Sequence, residues 1–230
     1  MLSKRLQVLA TYLQSPVHFA DIGSDHAYLP CYVCSKDLQA KAVAGEVNQG
    51  PYERAIQTVA DQELADRISV RKGDGLAVIS PGEVRQLTIA GMGGKLICQI
   101  LNNDKDKLQG VERLILQPNV DAPLVREWLQ THQYKIVAEE IIEEDGYIYE
   151  VLISDYTGDN LYLTDKEILF GPFLLEKQND VFRLKWKKEM DKRNYLINQM
   201  KLATTAPEAK ITQLQKECRW IQEVLADDNG

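Results

Sequence analysis

Short apolar runs alternate with amphipathic stretches over the first 133 residues of the chain. The apolar runs predict five strands, at 17–22, 41–45, 68–72, 86–91 and 112–117. Apolar residues at helical spacing predict helices at 3–14, 27–38, 50–64, 94–102 and 121–131. Strands this short and apolar, separated by helices, indicate βαβ units and an α/β fold whose parallel sheet is buried on both faces.

The pattern changes after residue 133. Two runs of strand character, 134–143 and 147–155, are joined only by Glu144-Asp145-Gly146. Parallel strands need a longer connection, so these runs predict an antiparallel terminal hairpin at the edge of the sheet. We expect the hairpin to close a first domain of residues 1–160, because Gly158-Asp159-Asn160 follows it as a boundary.

Residues 161–230 show almost no strand pattern. One helical face, at steps of four and seven, comprises Ile168, Leu175, Phe182, Trp186, Met190 and Ile197. A second face, after a break at Thr204-Thr205-Ala206-Pro207, comprises Ile211, Leu214, Cys218, Ile221 and Leu225. The pattern predicts a second domain, a coiled-coil-like hairpin of two long helices that begins at an N-cap, Thr164. Pro172 either kinks the first of these helices or starts it late.

Composition favours a globular cytoplasmic protein. Hydrophobic residues make up 44% of the 230 residues, which is enough for a sizeable core. No apolar run approaches the length of a membrane span, and no charged-then-apolar leader precedes the first helix. The four cysteines are irregularly spaced, and the pair Cys31-Tyr32-Val33-Cys34 lacks the partners of a zinc site. We therefore expect neither a membrane nor a metal.

Charge is distributed unevenly along the chain. The net charge of −7 argues against general electrostatic binding to nucleic acid. Residues 1–160 carry 15 basic and 23 acidic residues, whereas residues 161–230 carry 12 and 11. Six basic residues and two acidic ones lie within 183–193. On a helix, Lys185, Lys188 and Lys192 share one stripe, which indicates either a solvated face or a surface that binds phosphates.

Each predicted parallel strand ends in polar residues and glycines. These ends are Asp21-Ile22-Gly23-Ser24-Asp25-His26, Gly45-Glu46-Val47-Asn48, Gly73-Asp74-Gly75, Gly91-Met92-Gly93-Gly94 and Gln117-Pro118-Asn119. A parallel sheet binds its ligand at the carboxyl ends of its strands, so these five segments predict one site.

The chemistry of these ends favours S-adenosyl-L-methionine over a dinucleotide. The first loop lacks the glycines of G-x-G-x-x-G and no G-K-[ST] follows it, which excludes both phosphate-binding motifs. Its carboxylates suit an ammonium or sulfonium group. Glu46 can accept both ribose hydroxyls, and Asp74 can accept from the exocyclic amine of adenine.

The segments "ADIGSDHAYLP", "GEVNQGPYERA", "KGDGL", "IAGMGG" and "LILQPN", in this order, resemble the bacterial tRNA (adenine-N1)-methyltransferases of the TrmK family. The resemblance covers the whole chain. It implies a Rossmann-like class I methyltransferase domain, a C-terminal helical hairpin, S-adenosyl-L-methionine as methyl donor and adenine 22 in the D-arm of tRNA as target. Related methyltransferases often have Asp where Glu46 stands, which places the carboxylate one methylene further out here.

The resemblance and the strand ends together assign the candidate site residues. The residues predicted to bind the cofactor are Asp21, Gly23, Ser24, His26, Glu46, Val47, Asn48, Asp74, Gly75, Gly91 and Met92. Those predicted to act on the adenine are Asp25, Tyr28 and Asn119, with Gln117 and Pro118 holding the base. Asp25 and His26 are alternatively caps of the helix that follows them. Arg5 is either a phosphate contact beside the cofactor cleft or a solvated charge.

Two other functions are compatible with the same sequence. One is a small-molecule methyltransferase in which the helical hairpin serves dimerisation. The other is an inactive module that binds RNA or a protein partner through the hairpin. The tRNA methyltransferase hypothesis predicts a monomer whose partner is tRNA, docked on the stripe of Lys185, Lys188 and Lys192.

Overall fold

The computed structural model describes residues 2–160, 162–202 and 207–226. Its strands are β1 (His18–Ile22), β2 (Lys41–Glu46), β3 (Ile68–Lys72), β4 (Gln86–Gly93), β5 (Arg113–Val120), β6 (Tyr134–Glu144) and β7 (Tyr147–Tyr156). Its helices are α1 (Lys4–Thr11), α2 (Tyr28–Lys36), α3 (Gln49–Asp61), α4 (Gly94–Asn103), α5 (Ala122–Thr131), α6 (Asp165–Phe170), α7 (Pro172–Lys177), α8 (Asp180–Lys201) and α9 (Glu208–Ala226). All seven predicted strands and the five helices predicted before residue 133 are confirmed.

The strands form one sheet in the order β3-β2-β1-β4-β5-β7-β6. The first five are parallel, so their carboxyl ends lie along one edge. β1 lies at the centre of the five parallel strands, and the direction in which strands are added reverses between β1 and β4. Such a reversal opens a crevice above the sheet, where ligands bind in this class of fold.

The predicted terminal hairpin is antiparallel, as its short connection requires. Its turn is formed by Asp145 and Gly146, whose φ angles of +52° and +81° match the twist of the two flanking strands. β7 also pairs antiparallel with β5, which places the hairpin turn at the same edge of the sheet as the carboxyl ends of the parallel strands.

Apolar side chains cover both faces of the sheet, as expected from strands without polar alternation. One cluster contains Leu87, Ile89 and Trp128, and the other contains Phe19, Cys31 and Cys34. A third cluster forms where Ile141 of β6 packs with residues of α6 to α9, among them Phe170, Phe182, Trp186 and Ile221.

The prediction of one long helix from Thr164 is wrong. Thr164 does cap a helix, but that helix ends after six residues at Gly171, whose φ is +88°. Pro172 then begins a second short helix, α7, because proline suits the first helical turn. Gln178, with a φ of +40°, ends α7, and the side chain of Asn179 caps α8 by accepting from the amide of Phe182.

α8 and α9 run antiparallel, as predicted for the helical hairpin. Arg193 of α8 donates to Glu217 of α9 over 2.8 Å, and Arg183, ten residues earlier, contacts the carbonyl of Leu225. The break predicted at 204–207 is described only at Pro207, and residues 203–206 lie outside the described residues.

A buried ion network fastens the C-terminal helices to the sheet. The guanidinium of Arg126 on α5 is wholly buried and donates to Glu139 over 2.7 Å and to Glu150 over 2.8 Å. Lys185 of α8 forms an ion pair with the other oxygen of Glu150. Burial alone would raise the pKa of the Glu150 carboxyl, but Lys185 and Arg126 hold this pKa below its usual range. The network therefore crosses the domain boundary predicted at residue 160.

Candidate functional site

Asp21, near the end of β1, is a buried carboxylate without a cationic partner. Ser24 Oγ donates to one of its oxygens and Thr88 Oγ1 to the other, each over 2.6 Å. No described residue forms an ion pair with it. Burial raises the pKa of this carboxyl, although the two hydroxyl donors oppose the rise. The buried carboxyl group of Asp21 therefore has two hydroxyl donors but no counterion among the described residues.

Glu46 ends β2 with one oxygen bound and the other free. Its Oε1 accepts from the backbone amides of Val47 and Asn48, both over 2.9 Å. Within the described part of the chain, Oε2 has no hydrogen-bond partner. The amides thus hold a buried carboxylate so that one oxygen remains available at the edge of the sheet.

Gly23 allows the first loop and the β4 loop to approach each other closely. Its φ is +69°, and a Cβ built on it would lie 2.2 Å from Cε of Met92. Its amide donates to the carbonyl of Gly45 over 2.9 Å, which ties the loop to β2. A side chain at this position would push Met92 away and fill the crevice.

Three successive residues of the first loop, beginning two residues after Gly23, adopt left-handed backbone conformations. Asp25, His26 and Ala27 have φ angles of +36°, +68° and +57°. Such conformations are unfavourable for non-glycine residues, and they concentrate at functional sites. α2 begins at Tyr28 with Ala27 as its N-cap and no capping side chain. The helix-cap alternative for Asp25 and His26 is therefore wrong.

The conformation of the first loop gathers three candidate side chains. His26 Nε2 lies 3.2 Å from Asp25 Oδ1, and the His26 ring stacks on Tyr28 at 5.2 Å between centroids. The side chains of Asp25 and Tyr28 are exposed. The loop therefore presents a carboxylate and a phenol to solvent at the carboxyl edge of the sheet.

Asp74 and Gly75 lie after β3, as predicted. Asp74 precedes a 3₁₀ turn at Gly75–Val78, and Gly75 has a φ of +53°. The Asp74 side chain is exposed and has no hydrogen-bond partner among the residues described. It is therefore free to accept from a ligand.

Gln117 and Asn119 hold the β4 loop. Gln117 Oε1 accepts from the Gly91 amide over 3.0 Å and from Arg5 Nη1 over 2.6 Å. Asn119 Nδ2 donates to the Gly91 carbonyl over 2.7 Å, and Gln117 Nε2 donates to Asn119 Oδ1 over 3.1 Å. Arg5 also lies over the ring of Tyr149, 5.1 Å from its centroid. These polar atoms are engaged with one another, and Arg5 is not a solvated charge.

A cleft of about 360 Å³ opens beside this cluster. It is lined by Pro118 and Asn119, by the hairpin turn with Tyr147, and by residues of α8. All three lysines of the predicted stripe line it. However, Lys185 is paired with Glu150, so the stripe presents free ammonium groups only at Lys188 and, loosely held 3.7 Å from Glu189, at Lys192.

Two residues of the site were not predicted from the sequence. Thr88 supports Asp21, and the signal for it was a lone hydroxyl inside the apolar run of β4. Tyr149 packs on Arg5, but its alternation within β7 indicates only a strand, so no sequence signal pointed to it.

The described residues contain no cluster of metal-ligating side chains and no helix that could span a membrane. Across 2–160, 162–202 and 207–226, no three His, Cys, Asp or Glu side chains come together as metal ligands. Burial raises the pKa values of the thiols of Cys31 and Cys34 to about 11, which is expected of packed cysteines. Within the same ranges, every helix is too short or too polar to cross a bilayer.

Comparison with known proteins places the chain in one family. The family model described as tRNA (adenine(22)-N(1))-methyltransferase, TrmK, matches residues 19–223. A Bacillus subtilis protein of the same description is 45% identical, over 100% of this chain and 98% of its own length.

Two solved structures share the whole architecture. The crystal structure of the B. subtilis M1A22 tRNA methyltransferase TrmK superposes with a TM-score of 0.90 at 43% identity, covering 98% of this chain and 99% of that one. Sp1610 of Streptococcus pneumoniae, in complex with S-adenosyl-L-methionine, superposes with a TM-score of 0.88 at 40% identity, covering 98% and 100%. With the family model matching most of its length, the chain belongs to the TrmK family of tRNA (adenine(22)-N(1))-methyltransferases.

Proposed function

We propose that this chain transfers a methyl group from S-adenosyl-L-methionine to N1 of adenine 22 in the D-arm of tRNA, as a cytoplasmic monomer. The observation that carries the proposal is the buried, cation-free carboxylate of Asp21 at the strand edge of a chain in this family. A dinucleotide pyrophosphate would be repelled there, whereas a cationic ligand supplies the missing counterion.

The residues at the strand edge fit S-adenosyl-L-methionine. Asp21 faces the charge of the methionine part, the free oxygen of Glu46 accepts from ribose, and Asp74 accepts from the adenine amine. The loops around them complete the site through Gly23, Ser24, His26, Val47, Asn48, Gly75, Gly91 and Met92. When bound, the cofactor supplies an electrophilic methyl group on a sulfonium.

Alignment of the target base is the main task of the protein. Adenine N1 carries an in-plane lone pair, so it can attack a methyl group without first losing a proton. Asp25, exposed on the strained loop, accepts from the N6 amine and increases electron density at N1. The methylated base is cationic, and the neighbouring carboxylates stabilise that charge.

Tyr28, Gln117, Pro118 and Asn119 form the surroundings of the base. Both groups of the Asn119 amide are already hydrogen-bonded, so we assign it the role of holding the Gly91 loop against the base. Arg5 acts in the same way through Gln117. The base must leave its stacked position in the tRNA arm before it reaches this edge.

The test is to map 1-methyladenosine in unmodified tRNA incubated with the purified protein and S-adenosyl-L-methionine. A tRNA with guanine in place of adenine 22 is the control and must stay unmethylated. A small-molecule methyltransferase would instead modify members of a metabolite panel and leave tRNA unchanged. Binding of the cofactor without turnover on any substrate would indicate an inactive module.

A further inference from the structure

We infer that the cleft between the β6–β7 turn and α8 binds the strand that flanks the target adenine, with Tyr147 stacked on a neighbouring base and Lys188 and Lys192 on its phosphates. The inference rests on the proposed function, because it takes tRNA as the substrate. It adds a second contact surface, separate from the cofactor loops.

The cleft lies between the residues assigned to the target base and the C-terminal helical hairpin. Its inner side is formed by Pro118 and Asn119, which also border the Gly91 loop. Its outer side is α8, seated on the sheet through the pair between Lys185 and Glu150. A strand whose base enters at Asn119 therefore continues along the cleft toward α8.

Tyr147 is an exposed aromatic residue at the turn that lines the cleft. It directly follows the two-residue turn and is 68% exposed. Its ring lies 6.4 Å from that of Tyr149, which is in turn covered by Arg5. A fixed turn and a ring neighbour thus limit the orientations of the exposed ring. Such rings bind single-stranded nucleic acid by stacking on bases without regard to sequence.

The charges of the cleft differ between its two sides. On the α8 side, Arg193 is engaged with Glu189 and Glu217, whereas Lys188 has no ion-pair partner among the described residues. On the opposite side, Asp121 is exposed and likewise unpaired within the described chain. Phosphates are therefore favoured along α8, and base amines along the β5–α5 loop.

The test uses two variants and a matched control for each. Tyr147→Ala is compared with Tyr195→Ala, an equally exposed tyrosine of α8 that does not line the cleft. Lys188→Glu is compared with Lys187→Glu, its exposed neighbour outside the cleft. Fluorescence anisotropy measures the affinity for unmodified tRNA without cofactor, and calorimetry measures S-adenosyl-L-methionine binding.

We expect Tyr147→Ala and Lys188→Glu each to weaken tRNA binding by about tenfold relative to its control, with cofactor affinity unchanged. Tyr147→Trp retains the affinity, since it retains the stacking surface. Lys188→Gln lowers the slope of log affinity against log salt by roughly one.

Equal tRNA affinities for each variant and its control would overturn the inference, even if the wild type methylates adenine 22. A wild-type chain that binds tRNA through these residues but methylates none would overturn the proposed function and keep the inference. A wild-type chain that does not bind tRNA would overturn both.

Discussion

Lys185 on α8 forms an ion pair with Glu150, a carboxylate buried in the centre of β7. A lysine predicted to bind phosphate thus belongs instead to the ion network of Arg126, Glu139 and Glu150. The network contains two cations and two carboxylates. Removing one cation therefore leaves an uncompensated negative charge in a buried place.

We expect Lys185→Met to lower the free energy of unfolding by about 2 kcal/mol, because Glu150 loses a charged hydrogen bond. Urea unfolding measures the effect, with exposed Lys187→Met as the control. The double variant Lys185→Met/Glu150→Gln should be less destabilised than the sum of the two single variants. Additive effects would show that the two side chains are not coupled.

Gly171→Ala should destabilise the protein by at least about 2 kcal/mol. A Cβ there would lie 2.5 Å from both Arg126 Nη2 and Glu139 Oε2, and the φ of +88° is strained for alanine. Gly50→Ala is the matched control, because a Cβ built on Gly50 has no neighbour within 4 Å. Thermal unfolding of both variants measures the difference, and equal melting temperatures would contradict the prediction.

Cofactor affinity should rise with pH because of Asp21. Burial raises the pKa of this carboxyl in the free protein, and a cationic ligand requires the ionised form. Affinity for S-adenosyl-L-methionine should therefore increase as pH rises from the usual carboxyl pKa range to the raised pKa of Asp21. Above that pKa the affinity should level off. Asp21→Asn should abolish this increase and weaken binding by at least roughly tenfold. Calorimetric titration across pH measures both effects.

Asp21 should have the opposite effect on the stability of the ligand-free protein. The folded chain binds the Asp21 proton more tightly than the unfolded chain, so its contribution to stability falls as pH rises from the unfolded pKa through the raised folded pKa. Asp21→Asn should remove this fall, whereas exposed Asp66→Asn should not. An unchanged pH profile of unfolding in Asp21→Asn would contradict the assignment.

Glu46→Gln should weaken S-adenosyl-L-methionine binding by roughly 1–3 kcal/mol and leave the melting temperature nearly unchanged. The amide oxygen of glutamine can still accept from Val47 and Asn48, so only the free oxygen and the charge are lost. Glu46→Ala should lower both affinity and stability. Calorimetry showing wild-type affinity in both variants would remove Glu46 from the cofactor site.

Asp25→Ala should reduce the single-turnover rate by roughly 10- to 100-fold, the effect of losing one charged hydrogen bond. Its melting temperature should be nearly that of the wild type, because Asp25 is exposed and caps no helix. Rapid-quench methylation of tRNA at saturating cofactor measures the rate. A normal rate would end the catalytic assignment of Asp25.

The sheet could be predicted because each strand is indicated by residues that are neighbours in sequence. Each strand is an apolar run that ends in glycine or a polar residue, and the two-residue turn at Asp145 and Gly146 leaves only an antiparallel connection. For the same reason, the positions of Glu46 and Asp74 at strand ends could be predicted from the residues around them. These assignments depend only on neighbours in sequence, and the structure confirms the position of each strand.

Other features depend on partners far along the chain or on local backbone conformations that the sequence does not signal. Nothing near Lys185 in sequence indicates Glu150, 35 residues away, and nothing near Arg5 indicates Gln117. The apolar pattern continues through Gly171 and Gln178, so it predicts one long helix from Thr164. Both residues have positive φ angles, and the helix is interrupted at each of them. The cap predicted at Asp25 failed because three successive left-handed residues have no sequence signal.

The ion network also limits how this architecture can evolve. Arg126, Glu139 and Glu150 belong to the sheet and its covering helix, yet they contact α6, α7 and α8 through carbonyls, an amide and Lys185. A recombination event that exchanged the C-terminal helices for another appendage would leave the charges of Arg126, Glu139 and Glu150 without these partners. The helices and these three residues are therefore expected to be inherited together, and a graft onto another methyltransferase needs both.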